Sequence, residues 1–223
     1  MKKCVTTLGD YFFYGFAVLS VLAIMASVAT PARGLLLDEF SRLLDHKGKV
    51  RSLAEFDKKL EYAGISRADF VPEIRIVKRS REMRVFSNSK LVATYPIGLG
   101  RATIGTKQNA TDQKTPEGMY YVCDKDENNR YHLFLQINYP SGIDAERALV
   151  QDIIKNSEYE TLVGAWQNKI TPPVNTGLGG PLGIHGFGAE SSWTTDGSIS
   201  MHNVHIEELF WNVEKGTPVA ILP

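Results

Sequence analysis

The chain has 223 residues, of which 43% are hydrophobic and 22% are charged, and this is the composition of a folded globular protein. The length allows one domain of ordinary size together with a small extension. The 25 basic and 25 acidic residues give a formal net charge of zero, so the sequence gives no sign of the basic face that a nucleic-acid partner requires.

The N-terminal segment contains an uncharged run at residues 11–32. A membrane span needs roughly 20 apolar residues, whereas the core of a signal peptide needs about 7–15. The length of the run favours a retained membrane anchor. The small residues Ser27 and Ala29, however, are suited to cleavage by a signal peptidase. We therefore expect residues 1–33 to be a transmembrane anchor or a signal peptide, with the anchor favoured.

A small helical segment is predicted for residues 34–71. Apolar residues recur on one side of a helix at 35–45, and Ser52 with Glu55 forms a capping-box pattern that predicts the start of a second helix. Gly64 would end that helix. We expect a helical hairpin that covers the edge of the main domain, and a spacer or docking arm is the alternative.

Short strands dominate the pattern from residue 72 to residue 223, with polar turns between them. The expected strands are residues 74–76, 83–86, 91–97, 119–123, 131–139 and 219–221, with a polar hairpin turn at 124–130. The expected helices are residues 144–154, 157–166 with Ser157 and Glu160 as a cap, and 204–213 with Asn203 as N-cap. The sequence thus predicts a mainly β domain with short peripheral helices.

The two cysteines, Cys4 and Cys123, lie on opposite sides of the apolar N-terminal run. An internal disulfide is therefore not expected, and no Cys or His spacing indicates a metal site. Cys123 falls within a predicted strand, which favours a buried core thiol over a nucleophile. We expect neither a metal nor another cofactor.

The stretch of residues 183–203 contains the candidate site. His185 is followed by Gly186, and eleven residues later comes a second tight segment, Gly197-Ser198-Ile199. One imidazole against one hydroxyl is the minimum for a base-activated nucleophile, but both residue types are also common in structural positions. Asp196 could orient the histidine, or it could be an ordinary turn residue.

These residues resemble the signature of the L,D-transpeptidase (YkuD-type) catalytic domain, and its murein L,D-transpeptidase branch in particular. The matching positions are His185-Gly186, Gly197-x-Ile199, Met201, Asn203, Thr115-Pro116-x-Gly118, Tyr139-Pro140 and Asp144-x-x-Arg147-Ala148. Two positions differ from the family pattern. Ser198 stands where the family has its nucleophilic Cys, and Ser200 stands where many members have Arg.

The resemblance implies an L,D-transpeptidase-like β-sandwich of two packed sheets over residues 72–223. It also implies acyl transfer, or hydrolysis, on peptidoglycan stem peptides, with His185 as base, Ser198 as acyl carrier, and Gly186, Gly197 and Ser200 supporting an oxyanion hole. The chain would act as a monomer in the periplasm or at the cell exterior, tethered to the cytoplasmic membrane by residues 11–32.

The serine at position 198 leaves three explanations open. It can be a natural serine variant that still works, a catalytically inactive relative that binds peptidoglycan, or an engineered Cys-to-Ser change. The second departure from the family pattern, at Ser200, weakens the third explanation, because an engineer would normally change a single residue.

Overall fold

The computed structural model describes residues 48–188 and 195–223. The predicted membrane segment at 11–32 and the predicted helix at 35–45 lie outside these residues. Within the described ranges, no helix has both the length and the apolar character needed to cross a membrane. From Lys49 onward the chain forms one compact unit.

The described residues form eight strands, four helices and one short 3-10 turn. The helices are α1 (48–62), α2 (Gly142–Val150), α3 (Asn156–Gln167) and α4 (Asn203–Phe210), and the 3-10 turn is Arg67–Asp69. The strands are β1 (Pro72–Val77), β2 (Glu82–Ser87), β3 (Lys90–Pro96), β4 (Gly118–Asn129), β5 (His132–Ile137), β6 (Gly183–His185), β7 (Ile199–Ser200) and β8 (Pro218–Leu222).

All eight strands belong to one curled, mixed sheet with the order β3-β2-β1-β8-β4-β5-β6-β7. The predicted mainly β domain with peripheral helices is confirmed, and the two packed sheets of the prediction are joined here into one curled sheet. The reason is strand β4, which has 12 residues. Its residues 118–121 pair with β8, and its residues from 122 onward pair with β5. One long strand therefore joins both halves of the sheet by hydrogen bonds.

The β1–β2 ladder shows why the first half of the sheet forms. Ile74 lies opposite Val85, and Ile76 lies opposite Met83. All four side chains have 0% exposure, because alternate residues of a strand point to the same face. Phe56 of α1 also belongs to this core.

The β4–β5 connection is much tighter than the sequence predicted. The polar stretch 124–130 was expected to be a turn, but β4 continues to Asn129, which pairs with His132. Only Arg130 and Tyr131 form the turn. The prediction failed because a strand that exposes one face to water can be as polar as a loop.

The predicted helix starts were also shifted. Ser52 does not begin a helix, because α1 already runs through it, and its hydroxyl donates instead to Glu207 at 3.2 Å. Helix α2 begins earlier than residue 144, since Ser141 and Asp144 form a reciprocal capping box. The N-cap of α3 is Lys155, with no side-chain cap, so Ser157 lies inside the helix.

The start of α4 differs from the prediction in a way that affects the site. Its N-cap is His202 rather than Asn203. The side-chain carbonyl of Asn203 instead accepts a hydrogen bond from the Phe187 backbone N–H at 2.9 Å. Asn203 therefore fixes the segment that follows His185 instead of capping a helix.

Candidate active site

Two short neighbouring strands bring His185 and Ser198 to the same part of the molecule. Strands β6 and β7 are parallel, with Ile184 opposite Ile199. Both isoleucines have 0% exposure and belong to the core. Because side chains alternate along a strand, His185 and Ser198 point away from that core. Both line one cavity of about 620 Å³.

The His185 ring is held in a defined protonation state. The side chain is only 4% exposed, and Nδ1 lies 2.7 Å from the Gly186 carbonyl oxygen. A carbonyl oxygen only accepts hydrogen bonds, so Nδ1 carries the proton and Nε2 has the free lone pair. Burial lowers the pKa of the imidazole, against a smaller opposing effect of the Gly186 hydrogen bond. The ring is therefore suited to accept a proton at neutral pH.

Two aromatic side chains from the β4–β5 hairpin fix the plane of this ring. Tyr131 stacks on His185 with ring centroids 4.7 Å apart and an interplanar angle of 29°. Phe134 is the cross-strand neighbour of His185, with centroids 6.3 Å apart. The Tyr131 carbonyl also accepts a hydrogen bond from the Gly186 N–H at 3.1 Å. The hairpin thus holds both the ring and the backbone after it.

The Ser198 hydroxyl is partly exposed and is held by the neighbouring strand. Its Oγ accepts a hydrogen bond from the Gly183 N–H at 3.3 Å. This bond uses a lone pair of the oxygen, so the hydroxyl hydrogen stays available to a base. The Thr195 hydroxyl donates to the Ser198 carbonyl at 2.7 Å and accepts from the Gly197 N–H at 3.2 Å. These two hydrogen bonds lie within residues 195–198 and hold the turn before β7 in its conformation.

Two of the predicted supporting residues are glycines for steric reasons. Gly197 has φ of 140°, and a Cβ there would lie 2.6 Å from the Lys114 carbonyl oxygen. A Cβ at Gly186 would lie 2.6 Å from the side-chain oxygen of Asn203. Gly197 therefore requires glycine, because its close contact is with backbone and its φ is positive. A Cβ at Gly186 would displace the Asn203 side chain.

The backbone N–H groups near the site are unequally available. The N–H groups of Gly186, Gly197 and Ser200 donate to Tyr131, Thr195 and Gly98, respectively. The Ser198 N–H has no hydrogen-bond partner among the described residues. Ser198 is therefore the candidate oxyanion donor of this group, whereas the other three positions hold the surrounding backbone. The Ser200 side chain is fully buried.

A buried lysine supports the turn that carries Ser198, the nucleophile turn at residues 195–198. The Lys107 side chain is 1% exposed, and its ammonium donates to Asp112 at 3.0 Å and to the Asp196 backbone carbonyl at 3.1 Å. A second buried lysine, Lys78, donates to two backbone carbonyls and one carboxylate of the segment 105–117. The loop that backs the turn is thus fixed by two desolvated cations.

Several of these residues were missed by the sequence reasoning. Lys107 lies in a polar loop, and Thr195 lies in a turn-rich stretch, where neither residue type is distinctive. Tyr131 was assigned to a strand, and its position over His185 follows only from the pairing of β5 with β6. No local signal in the sequence could have identified these three residues.

Two alternative residues for the chemistry can be placed. The Asp196 side chain is exposed and forms no hydrogen bond or ion pair with a described residue, so His185 is oriented by the Gly186 carbonyl and not by this carboxylate. Cys123 lies on β4 and does not line the cavity. Burial raises the pKa of its thiol to about 11, which keeps it protonated and inert. Within residues 48–188 and 195–223, no group of three or more His, Cys, Asp or Glu side chains could hold a metal.

Comparison with known families gives one match. The sequence model of the L,D-transpeptidase catalytic domain (YkuD) matches residues 72–221. The match spans both candidate residues, His185 and Ser198, and all eight strands begin within it. No curated protein matches the chain at a significant level.

Solved structures give more distant similarities. Bd1075 from Bdellovibrio bacteriovorus is 20% identical over 70% of this chain and 49% of that chain, with a TM-score of 0.45. The helical cell shape determining protein Pgp2 from Campylobacter jejuni is 20% identical over 74% and 54%, with a TM-score of 0.46. L,D-transpeptidase 1 from Mycobacterium tuberculosis is 12% identical over 69% and 62%, with a TM-score of 0.40. The chain thus spans between 49% and 62% of the length of these solved chains.

Proposed function

Because the chain belongs to the L,D-transpeptidase catalytic domain family, we propose that it catalyses acyl transfer on peptidoglycan stem peptides. His185 is the general base, and Ser198 is the acyl carrier. The observation that supports this most directly is that His185, at the end of β6, and Ser198, just before β7, line one cavity. The defined tautomer of His185 adds a basic Nε2 to the cavity that also contains Ser198, whose Oγ accepts a hydrogen bond and keeps its own hydrogen available.

The reaction proceeds in two steps. Nε2 of His185 takes the hydroxyl proton as Ser198 Oγ attacks the carbonyl carbon that precedes the terminal D-amino acid. The Ser198 N–H stabilises the oxyanion, and the imidazolium then gives its proton to the leaving amine, which leaves an ester on Ser198. An amine of a neighbouring stem, or water, attacks this ester, and its proton passes through His185 back to Oγ.

Serine makes this chemistry harder than cysteine does. An adjacent imidazole readily ionises a thiol with a pKa of about 8.5, whereas a hydroxyl must lose its proton in the transition state. His185 is oriented by a neutral carbonyl, which stabilises the developing imidazolium less than a carboxylate would. The oxyanion donor therefore matters more, and one donor contributes on the order of 3 kcal/mol.

A second candidate function is peptidoglycan binding without turnover. It is favoured by the replacement of the family's cysteine with Ser198 and by the backbone hydrogen bond that Ser198 Oγ already accepts. In this case the cavity keeps its affinity for stem peptides, and the weaker nucleophile prevents acyl-enzyme formation.

The proposed substrate lies outside the cytoplasmic membrane, so the domain should be in the periplasm or at the cell exterior. The uncharged run 11–32 would provide a tether, and the protein would act as a monomer. A reporter enzyme fused after Pro223 tests the location. Reporter activity confined to the cytoplasm would contradict it.

The experiment that separates the two functions is Ser198→Cys in a chain that also carries Cys4→Ser and Cys123→Ser. If the cavity is intact, this variant should form an acyl adduct with a tetrapeptide-stem substrate, detected by intact mass, and its thiol should be alkylated rapidly. Adding His185→Ala should slow both reactions.

The outcomes of this experiment differ clearly. An adduct on the protein with Ser198 shows a working serine enzyme. An adduct that forms on the Ser198→Cys variant but not on the serine protein shows that the serine limits the chemistry. A cysteine variant that neither labels nor reacts, in a protein that still binds peptidoglycan, shows a binding protein. Absence of both reaction and binding would reject the proposed function.

A further inference from the structure

The two-residue turn Arg130-Tyr131 forms a layered arrangement above the candidate base. The Arg130 guanidinium carbon lies 4.6 Å from the centre of the Tyr131 ring. Tyr131 in turn stacks on His185 with centroids 4.7 Å apart. Neither turn residue belongs to a strand pair, since β4 ends at Asn129 and β5 begins at His132. The hairpin tip therefore places a cation directly over the aromatic ring that covers His185.

The charge of Arg130 has no counter-ion among the described residues. Arg130 is exposed, and it forms no ion pair with any residue in the described part of the chain. Lys107, which lines the same cavity, is by contrast buried and paired with Asp112. The contact with Tyr131 is a cation–π contact, and the guanidinium N–H groups donate to no acceptor among the described residues. The N–H groups of Arg130 are therefore available to a ligand.

A second arginine, Arg101, lines the same cavity and has no ion-pair partner among the described residues. Arg101 is exposed and lines the same cavity, and the preceding residue, Gly100, bridges to Thr195 of the nucleophile turn. Among the described residues that line the cavity, Asp196 is the one acidic side chain. The cavity thus presents uncompensated guanidinium groups to its ligand, one on the His185 side and one on the Ser198 side.

We propose that Arg130 binds the free carboxylate of the C-terminal residue that leaves the substrate, and that Arg101 faces an anionic group of the part that stays on Ser198. This inference rests on the proposed function. His185 must protonate the leaving amine, so the departing residue lies on the His185 side of the cavity. The carboxylate of that residue is attached to the carbon that carries the amine, and Arg130 lines the cavity next to Tyr131, the ring that stacks on His185. A guanidinium fork matches a carboxylate in shape and charge.

The consequence is selectivity for peptides that end in a free carboxylate. A donor peptide with an amidated C-terminus, or with further residues after the scissile bond, would leave Arg130 without its partner. With a free C-terminal carboxylate, Arg130 contributes to binding of the substrate and to orientation of the leaving group. Tyr131 supports the Arg130 side chain.

The test uses the full chain with Ser198→Ala, which keeps the peptide intact, and a stem tetrapeptide with either a C-terminal carboxylate or a carboxamide. Affinities are measured by calorimetry for this parent and for added Arg130→Gln, Arg130→Lys and Arg79→Gln. Arg79 is exposed and does not line the cavity, so its loss is the matched control for charge.

The parent should bind the carboxylate peptide about tenfold or more tighter than the carboxamide, as expected for a charge-assisted hydrogen bond. Arg130→Gln should remove this difference without changing affinity for the carboxamide, Arg130→Lys should retain part of it, and Arg79→Gln should retain it fully. Equal binding of the two peptides by the parent, or an equal loss for both in Arg130→Gln, would overturn the inference alone. A parent that binds neither peptide would overturn the proposed function with it.

Discussion

The two ends of the sheet are built in different ways. Strands β1, β2, β3 and β8 have between five and seven residues, and neighbouring strands of this group pair over at least four residues each. Strands β6 and β7 have three and two residues. Ladders this short cannot fix the positions of their side chains by themselves. The β6–β7 end of the sheet, the site end, therefore depends on contacts from loops, Lys107 to Asp196 and Gly98 to Ser200, whereas the β1–β2–β3–β8 end is the regular end.

This difference separates stability from chemistry. At the regular end, a core substitution should lower the free energy of unfolding and leave the reaction of the remaining folded protein unchanged. At the site end, a substitution can stop the reaction with a small effect on stability, or it can loosen the nucleophile turn by removing one loop contact.

The largest expected effect is that of His185→Asn. The asparagine amide can still donate to the Gly186 carbonyl, but it cannot take a proton, so acyl-adduct formation should fall by about 10²- to 10⁴-fold. The rate is measured by intact mass in the Ser198→Cys form, with thermal unfolding as the control. An unchanged rate would show that His185 is not the base.

Lys107→Met tests the loop support. Removing one partner of a buried ion pair costs about 3–5 kcal/mol, and the Asp196 carbonyl also loses its donor. We expect a loss of this size in urea unfolding, and slower alkylation at Ser198→Cys in the protein that stays folded. Lys90→Met, at an exposed strand end, is the matched control and should change stability by less than about 0.5 kcal/mol. Equal effects of the two substitutions would contradict the role of Lys107.

Ile76→Ala tests the regular end. Ile76 has 0% exposure, and truncation of such a side chain costs about 2–5 kcal/mol. Urea unfolding should show this loss, while the adduct rate per folded molecule stays within about twofold, since the substitution leaves the barrier unchanged. Leu91→Ala, at a half-exposed position of β3, should cost clearly less. A large change in rate with Ile76→Ala would show that the two ends of the sheet are coupled.

The smallest expected effect comes from pH. Burial lowers the pKa of His185 from its ordinary value of 6.5, so neutral His185 contributes stability that is fully present above pH 6.5. This stability is lost as the pH falls through the lower folded pKa, by up to about 1.4 kcal/mol per pH unit. Reaction rates should fall over the same acidic range, because protonated His185 cannot act as base. His185→Asn should flatten this part of the stability profile, and a rate that begins to fall above pH 6.5 would contradict the lowered pKa.

The regular part of the fold could be predicted from the sequence because its information is local. Alternation or runs of apolar residues identified the β1, β2 and β3 regions to within a few residues, and the turn at 216–218 identified the start of β8. The family motif identified His185 and Ser198 as candidates. Helix ends were less accurate, since Ser52 and Asn203 have good capping chemistry but use it for contacts with distant segments.

The surroundings of the site were decided by tertiary structure. The sequence alone determined that a histidine and a serine lie next to tight glycine turns, because those residue types and spacings are properties of a short stretch. It could not determine that Tyr131 covers His185 or that Lys107 supports Asp196. Each of these facts joins residues that are tens of positions apart in the chain, and the free energy that brings them together comes from burial of the whole sheet.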